Sequence, residues 1–461
     1  MHQTDLETWT FLWVIVAIGL LIRQWRAHDN VGLLLTYIIG FGAIHWLAAA
    51  IYLLPWYSTW GEDFVAEGLR EATVATIALA VGAEAAVWLM RWQRSTARRP
   101  VPTSGTTIAD PLAINVYLAT GLVLYAVVSP LAGTLPSIQA LVATGSLVAV
   151  VALCLKCWNA WQRGRSLTMW RWLAVSTMMP AVTVVTQGFL GYGFSAMLTV
   201  VVFVGSIYRP RWKVVAAGVV LAYLGLSVYV TYMRDRGDIR KVVWGGGGLA
   251  DRATQLSETF ADMEWFDVYD TDHLTRIDSR LNQDYLVGAA MSHLARGLSR
   301  FADGATFVDA AVSVIPRALW PDKPMSAGSG DLVSTYTGFR FADGTSVGIG
   351  QVMECYINFG TAGVVGGFFV IGGILAFVDR RAFHALNQGD VRRFTLWYLP
   401  SLSLLQVGGS LVEVTSSAAA AWLMAVIINY LVSQLHQRTP VPAPVAAQVS
   451  LSVVPEREVR S

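Results

Sequence analysis

Charge is scarce in this chain. Asp, Glu, Lys and Arg together make up 14% of its 461 residues, against 54% hydrophobic residues, and mean hydropathy is +0.50. That balance is far too apolar for a water-soluble globular domain. Cysteine is rarer still. Cys154, Cys157 and Cys355 give no disulfide framework, and the CxxC pair at 154–157 reads better as small apolar packing residues than as a redox or metal site. The seven histidines are scattered, with no HxxH or HExxH, and there is no Walker A or GxGxxG sequence. No metal site, bound cofactor or nucleic-acid partner is therefore expected. Polar residues inside the apolar stretches, His45, Glu84, Gln187 and Gln406, are too dispersed to draw an ion path, which counts against a pump.

What the chain does have is apolar runs of bilayer-crossing length, roughly 17 to 25 residues each. They are expected near 6–22, 31–54, 70–90, 112–130, 137–155, 172–189, 192–208, 213–232, 350–378, 394–411 and 415–434, about eleven helices of an all-α integral membrane protein. The N-terminus carries Asp5 and Glu7 but no Lys or Arg, and no small-residue cleavage site follows the first run, so the first helix is expected to stay.

The net charge of +2 conceals a pattern. Seventeen basic residues fall in alternate short loops, at Arg23 and Arg26, Arg91–Arg99, Lys156–Arg171, Arg209–Lys213 and Arg380–Arg393. The opposite short loops hold Arg70 alone, beside Glu62, Asp63, Glu67, Glu71 and Glu413. The positive-inside bias predicts a multi-pass plasma-membrane protein with its N-terminus outside and its C-terminus in the cytoplasm.

Four segments follow: a bundle of eight helices over 1–232, a large extracytoplasmic loop with short helices over 233–349, three helices over 350–434, and a disordered cytoplasmic tail over 435–461. In the loop, Gly245–Gly248 reads as a hinge, and Leu249–Asp284 as acidic helix-like sequence. A helix over Leu286–Phe301 would place His293, Arg296 and Arg300 together, away from its apolar face. The two FADG stretches, at Phe301 and Phe341, are turn chemistry rather than a repeat.

One stretch of the loop, "PRALWPDKP" over Pro316–Pro324, packs three prolines, a tryptophan and three charges into nine residues. Each proline fixes one dihedral and removes one N–H, so this is a stiff, shaped loop that either turns a corner or holds side chains for a ligand. Arg317 and Lys323 in it, Arg234 and Arg236 in "YMRDRGDIR", Arg296, Arg300 and Arg340 suit an anionic ligand, since guanidinium forks match phosphate oxygens. Pairing with the loop's sixteen acidic residues or with lipid head groups is the alternative. Trp320 is a candidate for stacking on a sugar ring, or an interfacial aromatic. Glu354 opens the ninth apolar run, with Tyr356 and Asn358 at two-residue intervals, and is a candidate general base, or else a first-turn carboxylate favouring the helix dipole.

"IPRALWPDKP" (Ile315–Pro324) followed by "MECYINFGTAG" (Met353–Gly363), with a large loop between two groups of helices, resembles the Wzy-type oligosaccharide repeat-unit polymerases of bacteria, including O-antigen polymerases. The match covers roughly 50 residues. It implies a GT-C-like membrane glycosyltransferase of the bacterial inner membrane. Such an enzyme moves a growing glycan from undecaprenyl pyrophosphate onto the non-reducing end of a lipid-linked repeat unit, without a nucleotide sugar or a metal. Expected partners are that lipid-linked oligosaccharide, the bilayer, a flippase and a chain-length regulator. The resemblance puts Arg317, and after it Arg234, at the pyrophosphate; the placement and chemistry of the residues themselves add Glu354 as base or acceptor-orienting group, with Arg236, Arg296, Arg300, His293, Trp320, Lys323, Arg340 and Tyr356 around the substrate. A ligase that hands a finished glycan to another acceptor, and a polysaccharide or lipid transporter, are the competing readings.

Overall fold

The computed structural model describes residues 2–27, 29–57, 59–96, 108–129, 136–208, 211–316, 319–320, 322–323, 326–341 and 347–438. Every regular element among them is helical. In chain order they are α1 (His2–Arg26), α2 (Leu33–Ile44), α3 (Trp46–Ile51), α4 (Glu62–Thr96), α5 (Pro111–Val123), α6 (Pro136–Ser146), α7 (Val148–Gln162), α8 (Ser166–Ser176), α9 (Met179–Gln187), α10 (Leu190–Ile207) and α11 (Arg211–Trp244). The remainder are α12 (Leu249–Ala261), α13 (Thr271–Leu281), α14 (Gln283–Ala295), α15 (Ala305–Ser313), α16 (Ser329–Thr337), α17 (Gln351–Asn387), α18 (Val391–Ser401) and α19 (Leu411–Arg438).

Among the described residues, eight stretches are long and apolar enough to cross a membrane: Asp5–Arg26, Glu62–Trp92, Pro111–Val128, Gln139–Gln162, Leu190–Ile207, Ala216–Trp244, Gln351–Asn387 and Leu411–Gln437. The other three expected spans are each broken. The 31–54 stretch divides at His45 into α2 and α3. The 172–189 stretch divides between α8 and α9, where Pro180 opens the second helix and has no N–H to donate to the turn before it. The 394–411 stretch holds Pro400, passes into a single 3₁₀ turn over Leu402–Leu405, and unwinds before α19.

These broken stretches still carry the chain from one end of the bundle to the other. Trp13 donates to Thr76, and ten residues later Arg23 pairs with Glu84, so α1 and α4 run parallel. Thr361 bonds Glu71 near the top of α4, and Gly372 touches Leu79 below it, so α17 runs the same way. The chain must return between α1 and α4, and 31–54 makes that return: Val31 and Leu33 donate to Asp379 at one end, while His45 meets Asp284 near the other. Residues 391–410 return likewise. The Arg392 carbonyl bonds Asn429 near the end of α19, and Leu411 bonds Glu354 at the head of α17.

Close helix contact is bought with glycine. A β-carbon on Gly82 would collide with the Phe369 carbonyl, and one on Gly372 with that of Leu79, so α4 and α17 touch through main chain. Gly68 against Asp284 and Gly288 against Phe64 do the same for α4 and α14, in the antiparallel sense.

Four boundaries differ from expectation. α11 continues beyond residue 232 to Trp244, because no proline and only the single Gly237 intervene before the Gly245–Gly248 run, so Arg234 and Arg236 lie on a helix. The helix expected over 286–301 is α14, ending at Ala295. Gly297 takes φ +69, with its N–H on Leu294 and that of Leu298 on His293, the left-handed glycine stop of helices. Arg300 thus lies beyond the helix that holds His293. The 249–284 segment is two helices separated by residues 262–270. The last helix runs to Arg438, four residues into the expected tail, whose remainder lies outside the described residues.

Candidate functional site

The site grows from a break in α17. Phe359 (φ −142, ψ 25) and Gly360 (φ 61, ψ −150) leave helical geometry and fold the short segment 351–358 back along the long one, so that a β-carbon on Gly363 would strike the Cys355 carbonyl and one on Gly367 its sulfur. Gly360 is required there, since its φ lies where side chains clash with the backbone. The polar groups freed by the break are met by neighbours. Ala302 donates its N–H to the Ile357 carbonyl at 2.8 Å, Gly304 to Asn358 Oδ1 at 2.9 Å, and Asn358 Nδ2 to Thr306 at 2.8 Å and to the Glu354 carbonyl at 2.7 Å. The loop carrying Arg300 is thereby laced to the short first segment of α17, and Phe301 packs on half-buried Tyr356 with ring centroids 6.5 Å apart.

Glu354 is fully buried. Its Oε2 accepts the Leu411 N–H at 2.7 Å at the head of α19, while its Oε1 has no hydrogen-bond partner among the described residues. That helix start is built by Ser410 and Glu413, each accepting the other's N–H at 3.2 Å, the capping box that SxxE spells. Both flanks of the proline loop are fastened to the same turn. Ser313, ending α15, bonds Thr415 at 2.8 Å, and Ser329, opening α16, bonds Glu413 at 2.9 Å. The loop over 314–328 and the carboxylate at 354 therefore share one helix N-terminus, although sequence separates them.

A second buried carboxylate stands across the break. Glu71, 1% exposed, accepts from Thr361 at 2.9 Å and Arg70 at 3.1 Å through Oε1, and its Oε2 has no partner among the described residues. Sequence reasoning counted Glu71 only as loop charge. The run Asp63, Glu67, Glu71 at four-residue intervals, which lines one face of a helix, was the available signal.

The expected cations divide. Arg317 lies outside the described residues, as do Pro321 and Pro324. Trp320 is 39% exposed in a turn closed by its N–H to the Pro316 carbonyl. Lys323 directs its ammonium at the Ser313 and Ile315 carbonyls, at 3.1 and 3.0 Å, so it stabilises the end of α15. Arg296, Arg300 and Arg340 are exposed and have no ion pair among the described residues, while His293 is half-buried with its ring against Gly338.

Arg234 does not extend a fork to ligand. Its five donors, all that a guanidinium has, are held by Asp235, Asp262, Glu264 and Thr259 at 2.7–3.3 Å. Glu264 also receives Arg276 at 2.5 Å and His273 at 3.2 Å. Burial pushes the Glu264 carboxyl up, but Arg276 and Arg234 outweigh it and hold the group below the usual carboxylate range. This network clips the 262–270 segment to α11. Arg236 is separate from it and lies near Arg240 and Arg280, a basic group with Tyr229 that the sequence did not single out. The expectation of no metal site passed over one DxD triplet, Asp270–Thr271–Asp272. Asp270 there is a helix cap, accepting the Asp272 and His273 N–H groups at 2.8 and 3.4 Å.

One further pair lies beside the site. His45 Nδ1 is 2.6 Å from Asp284 Oδ1, both fully buried. Burial raises the Asp284 carboxyl above its ordinary value, against the opposing pull of His45.

No protein-family model, curated protein or solved structure matches the chain.

Proposed function

We propose that the chain is a membrane polymerase of lipid-linked oligosaccharide repeat units, of the Wzy type that its two motifs resemble. In this reading it sits in a bacterial plasma membrane, crosses it eleven times, three of them with broken helices, and keeps the N-terminus and the 245–350 region outside. The observation that carries the reading is the junction at the head of α19, where buried Glu354 and both flanks of the proline loop are fixed to one helix turn.

The acceptor sugar hydroxyl attacks the anomeric carbon of the donor glycan. The new C–O bond forms as the bond to the lipid pyrophosphate breaks, the pyrophosphate leaves with the electron pair, and the hydroxyl proton passes to Glu354 through its unpaired Oε1. Arg317, with exposed Arg300 and Arg296, balances the charge of the leaving group. Tyr356 and Trp320 offer faces to sugar rings. Arg234 keeps a structural role.

Purified protein in lipid, given only its lipid-linked repeat unit and a chelator, should make a ladder of products spaced by one repeat, releasing one lipid pyrophosphate per bond. Arg317→Ala should abolish the ladder and Arg317→Lys restore little of it, because a point charge does not replace a bidentate fork. A folded wild-type protein that makes no ladder from its native repeat unit sinks the polymerase. A ligase, lacking its second acceptor, would fail in this way.

A transporter is favoured by one observation: a broken helix beside buried carboxylates, with the His45–Asp284 pair near, is also how ion-coupled transporters build sites. Transport without bond formation would decide for it. Orientation has its own check. The three native cysteines are buried, so in intact cells an impermeant thiol reagent should label Ser257→Cys and spare Ser166→Cys. The reverse pattern would put the proposed site on the wrong side of the membrane.

A further inference from the structure

A cavity of about 260 Å³ opens at the arginine-rich end of the bundle, bounded by the last turn of α1, the segment leading into α2, the lower half of α4 and α17. Four guanidiniums line it, from Arg23, Arg26, Arg91 and Arg380, against the carboxylates of Asp29, Glu84 and Asp379. The carboxylates are already committed. Glu84 pairs with Arg23, and Asp29 with Arg380 at 3.1 Å. Asp379, 2% exposed, accepts the Val31 and Leu33 N–H groups at 2.8 and 3.3 Å, where α2 begins. Arg26 and Arg91 are left with no ion pair among the described residues, and Arg91 and Arg380 both act on Arg23 as like charges. Two uncompensated forks thus converge on one cavity.

We propose that this cavity binds a phosphate-bearing anion. Guanidinium forks match phosphate oxygens in pairs. The volume lies below the roughly 300–1,000 Å³ of sites for drug-sized molecules, which suits a headgroup rather than an oligosaccharide. The cavity also lies at the ends of apolar helices, the level at which lipid phosphates meet a membrane protein. The proposal does not depend on the polymerase reading, because no residue of the site at Glu354 takes part.

The test uses full-length protein, delipidated in neutral detergent, with unfolding followed by tryptophan fluorescence. Saturating short-chain phosphatidylglycerol should raise Tm by about 2–4 °C, and zwitterionic short-chain phosphatidylcholine should not. Inorganic phosphate separates the sources: a rise equal to that with phosphatidylglycerol identifies a free anion as ligand, and a rise with the lipid alone identifies a headgroup. The shift should vanish in the double variant Arg26→Ala, Arg91→Ala. Should that variant not fold, Arg26→Lys with Arg91→Lys keeps the charges, removes the forks, and should weaken half-saturation at least threefold. No rise with either anion, an equal rise with phosphatidylcholine, or unchanged binding in both double variants would overturn the proposal.

Discussion

Glu354→Gln should slow the appearance of each ladder step by about 100-fold or more and leave the yield of folded protein unchanged. The structure separates these two effects. Glutamine keeps the size of the side chain and an oxygen that can accept the Leu411 N–H, now held at 2.7 Å, so the junction of α17 and α19 survives. The other carboxylate oxygen makes no hydrogen bond among the described residues, so an amide in its place disrupts no contact there. Basicity alone is lost. A variant that polymerises at the wild-type rate removes Glu354 as base. One that fails to reach the membrane would show instead that its charge serves assembly.

The largest loss of stability is expected at a residue with no side chain. Gly82→Ala places a methyl group onto the Phe369 carbonyl, which belongs to another helix and cannot rotate aside. Overpacking of this kind typically costs about 1–3 kcal/mol, and here α4 and α17 must part along their shared length. Tm should fall by at least several degrees, and the Gly82→Ala, Gly372→Ala pair should yield little monodisperse protein. Gly366→Ala is the control, since nothing stands within 4 Å of a β-carbon there. If Gly82→Ala and Gly366→Ala unfold at the same temperature, the close main-chain contact does not hold the bundle.

Much of the fold is legible in the sequence because its signals are local. Eight long apolar helices fall where continuous hydrophobic runs place them. Two of the three breaks coincide with Pro180 and Pro400, and Gly297 marks the early end of α14. The break at His45 has no such mark. It falls where His45 meets a carboxylate 239 residues away, and no window of sequence contains both. The site follows the same rule. A carboxylate opening an apolar run exposed Glu354 to inspection. Glu71 passed as surface charge because Thr361 is 290 residues away. Arg234 looked free for ligand because three of its five bonds go to groups at least 25 residues away, at Thr259, Asp262 and Glu264.

Those long separations bear on the order in which the protein is made. Asp379 supplies the acceptor for Val31 across 348 residues, Asp284 the partner of His45, and Thr361 the donor to Glu71. While only the helices up to Trp244 exist, each of these early groups sits in an apolar setting without its partner, a condition that costs free energy for as long as it lasts. The early helices are therefore an unfinished wall rather than a self-sufficient unit. The helix that completes them, α17, is itself fixed at its head only when Val407 and Gly408 arrive to receive the Gln351 and Gly350 N–H groups. Polar closure thus comes with the last tenth or so of the described chain, and a ribosome that stalls before residue 408 leaves a protein that is inserted but not yet folded.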